Sequence, residues 1–154
     1  MKITSAFFVS LICIQLYACN KNNNIESGND FNSITNTDTM KLKITVGANV
    51  FTATLYNNAT VTAFKTKLPM TINMTELNGN EKYFDLSGNL PANASNLGTI
   101  QTGDLMLYGS NTLVVFYKTF STSYRYTQLG RIDNPSGLAA ALGSGNVRVR
   151  FELE

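Results

Sequence analysis

Residues Gly103–Gly130 read GDLMLYGSNTLVVFYKTFSTSYRYTQLG, and this stretch decides the fold. Leu105, Met106, Leu107 and Tyr108 form one apolar run that ends at a Gly109-Ser110-Asn111 turn. Leu113 to Tyr117 is then apolar at every position. A half-buried strand alternates apolar and polar residues, whereas an unbroken run predicts a strand covered on both faces. Beyond Thr119 the pattern loosens into Ser and Thr, with Tyr124 and Tyr126 on one face and Arg125 on the other. Three consecutive strands follow from this reading, and the rest of the chain is expected to close around them.

Toward the N-terminus, Leu42, Ile44 and Val46 alternate with Lys41, Lys43 and Thr45, as in a half-buried strand. Gly47-Ala48-Asn49 turns the chain, and Val50 to Tyr56 returns as the second strand of a hairpin. Asn58 is placed to cap a helix that carries Val61, Phe64 and Leu68 on one face. Pro69 forbids its continuation, so the helix ends by Leu68. Met70, Ile72 and Met74 alternate again as a strand. After the Asn78-Gly79-Asn80 turn and a short strand from Tyr83 to Leu86, residues Gly88 to Gly98 are rich in Asn, Gly and Pro. Such an excursion is a binding loop, an insertion onto the sheet, or a poorly ordered segment.

Toward the C-terminus, Pro135 follows a capping Asp133 or Asn134, and Gly143 stands just past Leu142. These signals predict a short helix starting at Pro135, with Leu138 and Leu142 as its apolar pair. Val147 to Leu153 is the last strand, with Val147, Val149, Phe151 and Leu153 inward and Arg148 and Arg150 on the wet face. About eight short strands and two helices fit a mainly β, closed or nearly closed barrel. Its first and last strands are expected to pair, and its helices to plug the open ends.

Ahead of this domain (41–154) stand two further segments. Residues 1–18 read as an export leader: Lys2, then a mostly apolar run from Ile3 to Tyr17 that is short of the roughly twenty residues a spanning helix needs. The leader ends in Leu16-Tyr17-Ala18-Cys19, which resembles the bacterial lipobox, although Tyr17 is bulky for its place. The resemblance implies cleavage before Cys19, lipidation of that thiol and anchoring in a bacterial cell envelope, on its periplasmic or cell-surface face. A plain secretory signal and an uncleaved anchor are the competing readings. Residues 19–40 are rich in Asn, Ser, Thr and Gly and read as a flexible tether. About twenty residues of such coil reach about 25 Å on average.

Composition removes several function classes. The chain of 154 residues has no histidine, which removes Ser-His-Asp and Cys-His catalysis and His-based zinc sites. Of its two cysteines, Cys13 leaves with the leader and Cys19 carries the lipid, so the folded domain keeps no thiol for a disulfide or a nucleophile. Glu76, Glu81, Asp85, Asp104 and Asp133 show no motif-like spacing and read as turn, cap or surface residues. There is no phosphate-cradling glycine loop, no metal-ligand cluster and no cofactor motif. A net charge of +2 with scattered basic residues gives no footprint for nucleic acid.

Several segments carry a family likeness. Thr54-Leu55-Tyr56-Asn57-Asn58 with the helix behind it, and Leu129-Gly130-Arg131-Ile132 before the last helix and strand, resemble cyclophilins. Asn80–Leu86, Gly103–Tyr108 and Asp133–Leu138 resemble, more closely, a bacterial cyclophilin-like domain family whose biochemical role is largely undefined. The likeness spans Lys41–Glu154 and implies a cyclophilin β-barrel. In true cyclophilins an Arg within a Phe-His-Arg segment polarises the prolyl amide, which lowers a barrier of about 18–20 kcal/mol. The corresponding part of this chain, roughly 70–96, holds no Arg and no His, and Lys82 is its only base. No catalytic residue is therefore carried over. The remaining candidates form a groove for a peptide, a protein or a small ligand: Tyr83, Phe84, Tyr108, Asn111, Phe116, Tyr117, Tyr124 and Tyr126. Each has core packing or sheet decoration as its alternative role. An envelope prolyl isomerase with a rearranged site, and a purely structural subunit, are the other functional readings.

Overall fold

The structure, a computed structural model, describes residues 40–154. The expected leader, Cys19 and the tether as far as Thr39 lie outside these residues. The chain opens with β1 (Lys41–Val46), β2 (Asn49–Leu55), α1 (Ala59–Lys65), β3 (Met70–Leu77) and β4 (Glu81–Asp85). The excursion carries β5 (Ser95–Asn96) and β6 (Thr99–Ile100), and the central stretch carries β7 (Asp104–Tyr108), β8 (Thr112–Phe116), β9 (Phe120–Ser121) and β10 (Arg125–Ile132). Then come α2 (Leu138–Leu142) and β11 (Val147–Leu153).

The sheet order is β2-β1-β11-β3-β4-β8-β7-β10-β5, and β2 also pairs with β10. Eight antiparallel strands thereby close into a barrel, while β5 adds outside the closure, on β10. The first and last strands pair, with Leu42 opposite Leu153 and Val46 opposite Val149. Closure occurs where Gly130 faces Leu55 and Ile132 faces Ala53, so β10 continues past Gly130, where the sequence reading ended it. Gly130 has a steric reason to be glycine. A Cβ there would overlap the Thr54 carbonyl oxygen and stand 3.0 Å from Leu55 Cα.

The unbroken apolar run has its expected cause. Leu113, Val115 and Tyr117 point into the main core with Leu105, Leu107, Phe64 and Phe151. Val114 and Phe116 point outward and join Met106, Tyr126 and Ile100 in a second cluster. The outer cluster is covered by a small ribbon in which Ile100 of β6 faces Phe120 of β9. The excursion is thus an insertion onto the sheet. Leu86 and Leu90 anchor its start in the main core, and Leu97 and Ile100 rest on the outer cluster. Leu86, Leu90 and Ile100 are buried and each contributes about 1.5–3 kcal/mol relative to exposure, while Leu97 is half-buried.

The helices depart from expectation in detail. In α1 the Val61 N–H donates to Asn58 Oδ1 at 2.9 Å, as a cap should. The helix stops at Lys65, so Leu68 packs from the following turn. Helix α2 starts at Leu138, three residues after Pro135, because Gly137 adopts φ 79° and breaks the entry. Asn134 instead accepts the Ser136 N–H at 3.1 Å in a turn ahead of the helix. Leu138 and Leu142 are buried as the spacing required. Leu153, expected inward, is 46% exposed at the end of β11.

Candidate functional site

The site lies outside the barrel, on the outward faces of β4, β8, β7 and β10. Side chains alternate along a strand, so Glu81, Tyr83 and Asp85 of β4 share the outer face while Lys82 and Phe84 turn inward. Tyr108 of β7, Thr112 and Val114 of β8 and Tyr126 of β10 continue the surface. Phe120 to Tyr124 make the far wall, and the Leu77–Asn80 turn closes one end. Together they bound a cavity of about 620 Å³, a size suited to a small ligand.

Aromatic packing fixes the shape of this groove. Tyr108 lies edge-on to Tyr124, with ring centres 6.1 Å apart, and 5.5 Å from Tyr126. Beneath them Phe116 meets Tyr126 edge-on at 5.4 Å and Phe120 at 5.6 Å. Tyr124 stays 62% exposed and Tyr108 45% exposed, so their faces remain open to a ligand.

Of the eight sequence candidates, Tyr83, Tyr108, Tyr124 and Tyr126 line the groove, and Phe116 is buried under its floor. Three do not belong. Phe84 is on the inner face of β4, against the main core. Asn111 sits in the β7–β8 turn, its amide 3.5 Å from the Leu86 carbonyl. Tyr117 continues the inward positions of β8, and its hydroxyl donates to Glu76 at 2.8 Å. Period-two alternation separates the two sets. Arg125 is also outside the groove and donates to the Ala94 carbonyl at 2.8 Å.

The electrostatics are one-sided. Two carboxylates, Glu81 and Asp85, line the groove, and no Lys or Arg does. Asp85 accepts a 2.6 Å hydrogen bond from Thr112. Burial, and then the nearby charge of Glu76, push the Glu81 carboxyl up to about 6. Burial, and then the charge of Glu81, push the Tyr126 hydroxyl up to about 12. Lys82, the base singled out in this segment, is fully buried and faces away. It pairs with Glu76, donates to the Gly143 and Gly145 carbonyls at 2.8 and 2.7 Å, and stands 5.3 Å from the centre of the Tyr117 ring. Burial alone would raise the Glu76 carboxyl, but hydrogen bonds from Lys82, Tyr117 and the Gly79 N–H hold it below its ordinary value.

Sequence reasoning missed Glu81. Its signal was the alternation on β4, which puts residue 81 on the same face as Tyr83. Among the described residues no cluster of three metal-ligating side chains exists. The groove offers aromatic faces, hydroxyls and two carboxylates, which suits it to binding.

The comparisons bear first on the barrel. A hypothetical protein of Archaeoglobus fulgidus, solved in solution, is similar to this chain with a TM-score of 0.51 and 21% identity; the match covers 74% of this chain and 94% of that one. That likeness concerns the fold. No curated protein matches the chain. A model of the cyclophilin-like family matches residues 44–152, the length of the barrel from β1 to β11, and the chain belongs to that family.

Proposed function

We propose that the chain is an envelope lipoprotein, tethered through Cys19, whose cyclophilin-like barrel binds a ligand in the outer groove without chemistry on it. The observation that carries the reading is the groove itself: open tyrosine faces over a buried aromatic floor, with no Arg among the lining residues. Amide polarisation for prolyl isomerisation needs a donor fixed at the carbonyl or the amide nitrogen. Arg125 is committed to the Ala94 carbonyl, and Lys82 to the buried pair with Glu76.

A proline-peptide isomerisation assay tests the binding reading against its enzymatic rival. Micromolar full chain is expected to leave the uncatalysed rate unchanged. An acceleration that disappears in Arg125→Ala would replace this reading with isomerase action. The anchor has a separate test, since Cys19→Ser is expected to abolish fatty-acid labelling and membrane retention. Unchanged fractionation of that variant would remove the lipid from the account.

A further inference from the structure

Glu81 is the one charged group of the groove held in a surrounding that disfavours charge. It is 8% exposed, lies against a tyrosine-rich wall, and among the described residues no hydrogen bond to its carboxyl offsets that burial. Asp85 repeats the charge four residues along the same strand face, about 13 Å away at strand spacing. The whole chain carries a formal charge of +2, yet the lining of this cavity carries two carboxylates and no base. The other charged groups around Glu81 do not neutralise it. Glu76 on β3 is a like charge, Lys82 is spent on Glu76 on the opposite face, and Lys118 extends toward Gly79 of the adjoining turn. Tyr117 and Tyr126 feel the Glu81 charge; burial, together with that charge, pushes both hydroxyls up to about 12 and leaves them without a charge to offset it.

Aromatic faces attract cations through the negative face of the ring quadrupole, and a desolvated carboxylate adds a charge-assisted hydrogen bond. The exposed, edge-on Tyr108 and Tyr124 rings present such faces, and the buried Tyr126 ring packs 5.5 Å from Tyr108. We propose that the groove binds a small organic ammonium ion, its charged head against Glu81 and its apolar body on Tyr83, Tyr108 and Tyr124. The ion is small because the cavity is about 620 Å³ and walled at one end by the β3–β4 turn. It is cationic because the charged groups of the lining are two carboxylates, with no Lys or Arg beside them. This inference rests on the binding reading above and adds the class of ligand.

Three compounds with one ring skeleton separate the two claims. The full chain in a non-ionic detergent is titrated at pH 7.5 with tryptamine (cation), 3-methylindole (neutral) and indole-3-acetate (anion), followed by amide chemical shifts. Tryptamine is expected to move the amides of Tyr83, Tyr108 and Tyr124 and to bind about tenfold tighter than 3-methylindole, with the anion weakest. Glu81→Gln should bring tryptamine to the level of the neutral compound, while Tyr124→Ala, at an exposed ring, should weaken both. Equal binding of all three, weakened alike by Tyr124→Ala, would overturn the cation inference and leave the groove as a binding site. No shift at these amides from any compound would overturn both.

Discussion

Glu81 is held in the folded chain at a cost. Its carboxyl rises from an ordinary 4.5 to about 6 because burial, and then Glu76, disfavour its charge. Between those values the folded state binds more protons than the unfolded one, so stability from this group is greatest below pH 4.5 and is lost as pH rises through 6. A shift of that size amounts to about 1–2 kcal/mol. Glu81→Gln is therefore expected to be more stable than the native chain by about 1–2 kcal/mol at pH 7 and to lose that advantage near pH 4.5. Urea unfolding of both proteins across that range checks it. A Gln variant less stable at pH 7 would mean that the carboxylate has a structural partner. Lys82, its neighbour in sequence, shows the opposite arrangement: fully buried, but satisfied by Glu76, two carbonyls and the Tyr117 ring. One residue is left unpaired in a pocket and the next is fully paired in the core, and strand alternation alone separates them.

Elements were legible to the extent that they had a period. The alternation of Leu42-Ile44-Val46 and Val147-Val149-Phe151 gave strands whose inner faces are buried except at half-buried Val147, and the unbroken Leu113–Tyr117 run gave a strand covered twice. Helix entry at α2 was misplaced because Pro135 and Asn134 serve a turn and Gly137 resets the backbone at φ 79°. The groove was only half legible. Its tyrosines stand out in sequence, but choosing Tyr83 over Phe84, or Phe116 over Tyr117, needs the face of each strand. Strands β5, β6 and β9 have two residues each, too few to show any period. The closure of β2 on β10 was likewise hidden, because its device is an absent side chain. Gly130→Ala places a Cβ on the Thr54 carbonyl oxygen, and backbone cannot swing aside as a side chain can. The variant is expected to lose about 3 kcal/mol of stability, measured by denaturant midpoint at unchanged m-value. A loss below about 0.5 kcal/mol would show that β2 and β10 separate easily at this point.

At the scale of the molecule, the barrel explains why ligand chemistry is sought on its outside. The inward positions of the eight closing strands converge on one apolar cluster, with Leu138 and Leu142 of α2 and Phe64 of α1 packed into it. Pairing of the first and last strands joins that core into a continuous wall, so the interior is packing and the outer face is surface. Along β4, β8, β7 and β10 a second layer rises over that surface, and the groove is the space that the layer leaves uncovered. Its tyrosines and carboxylates oppose the weakly basic character of the chain as a whole. The most direct measurement of this account is a crystal structure of the full chain grown with tryptamine. The indole ring is expected among Tyr83, Tyr108 and Tyr124, with the ammonium about 3 Å from a Glu81 carboxylate oxygen. An amine lodged elsewhere, or a ring in the groove whose ammonium points away from Glu81 into solvent, would contradict it.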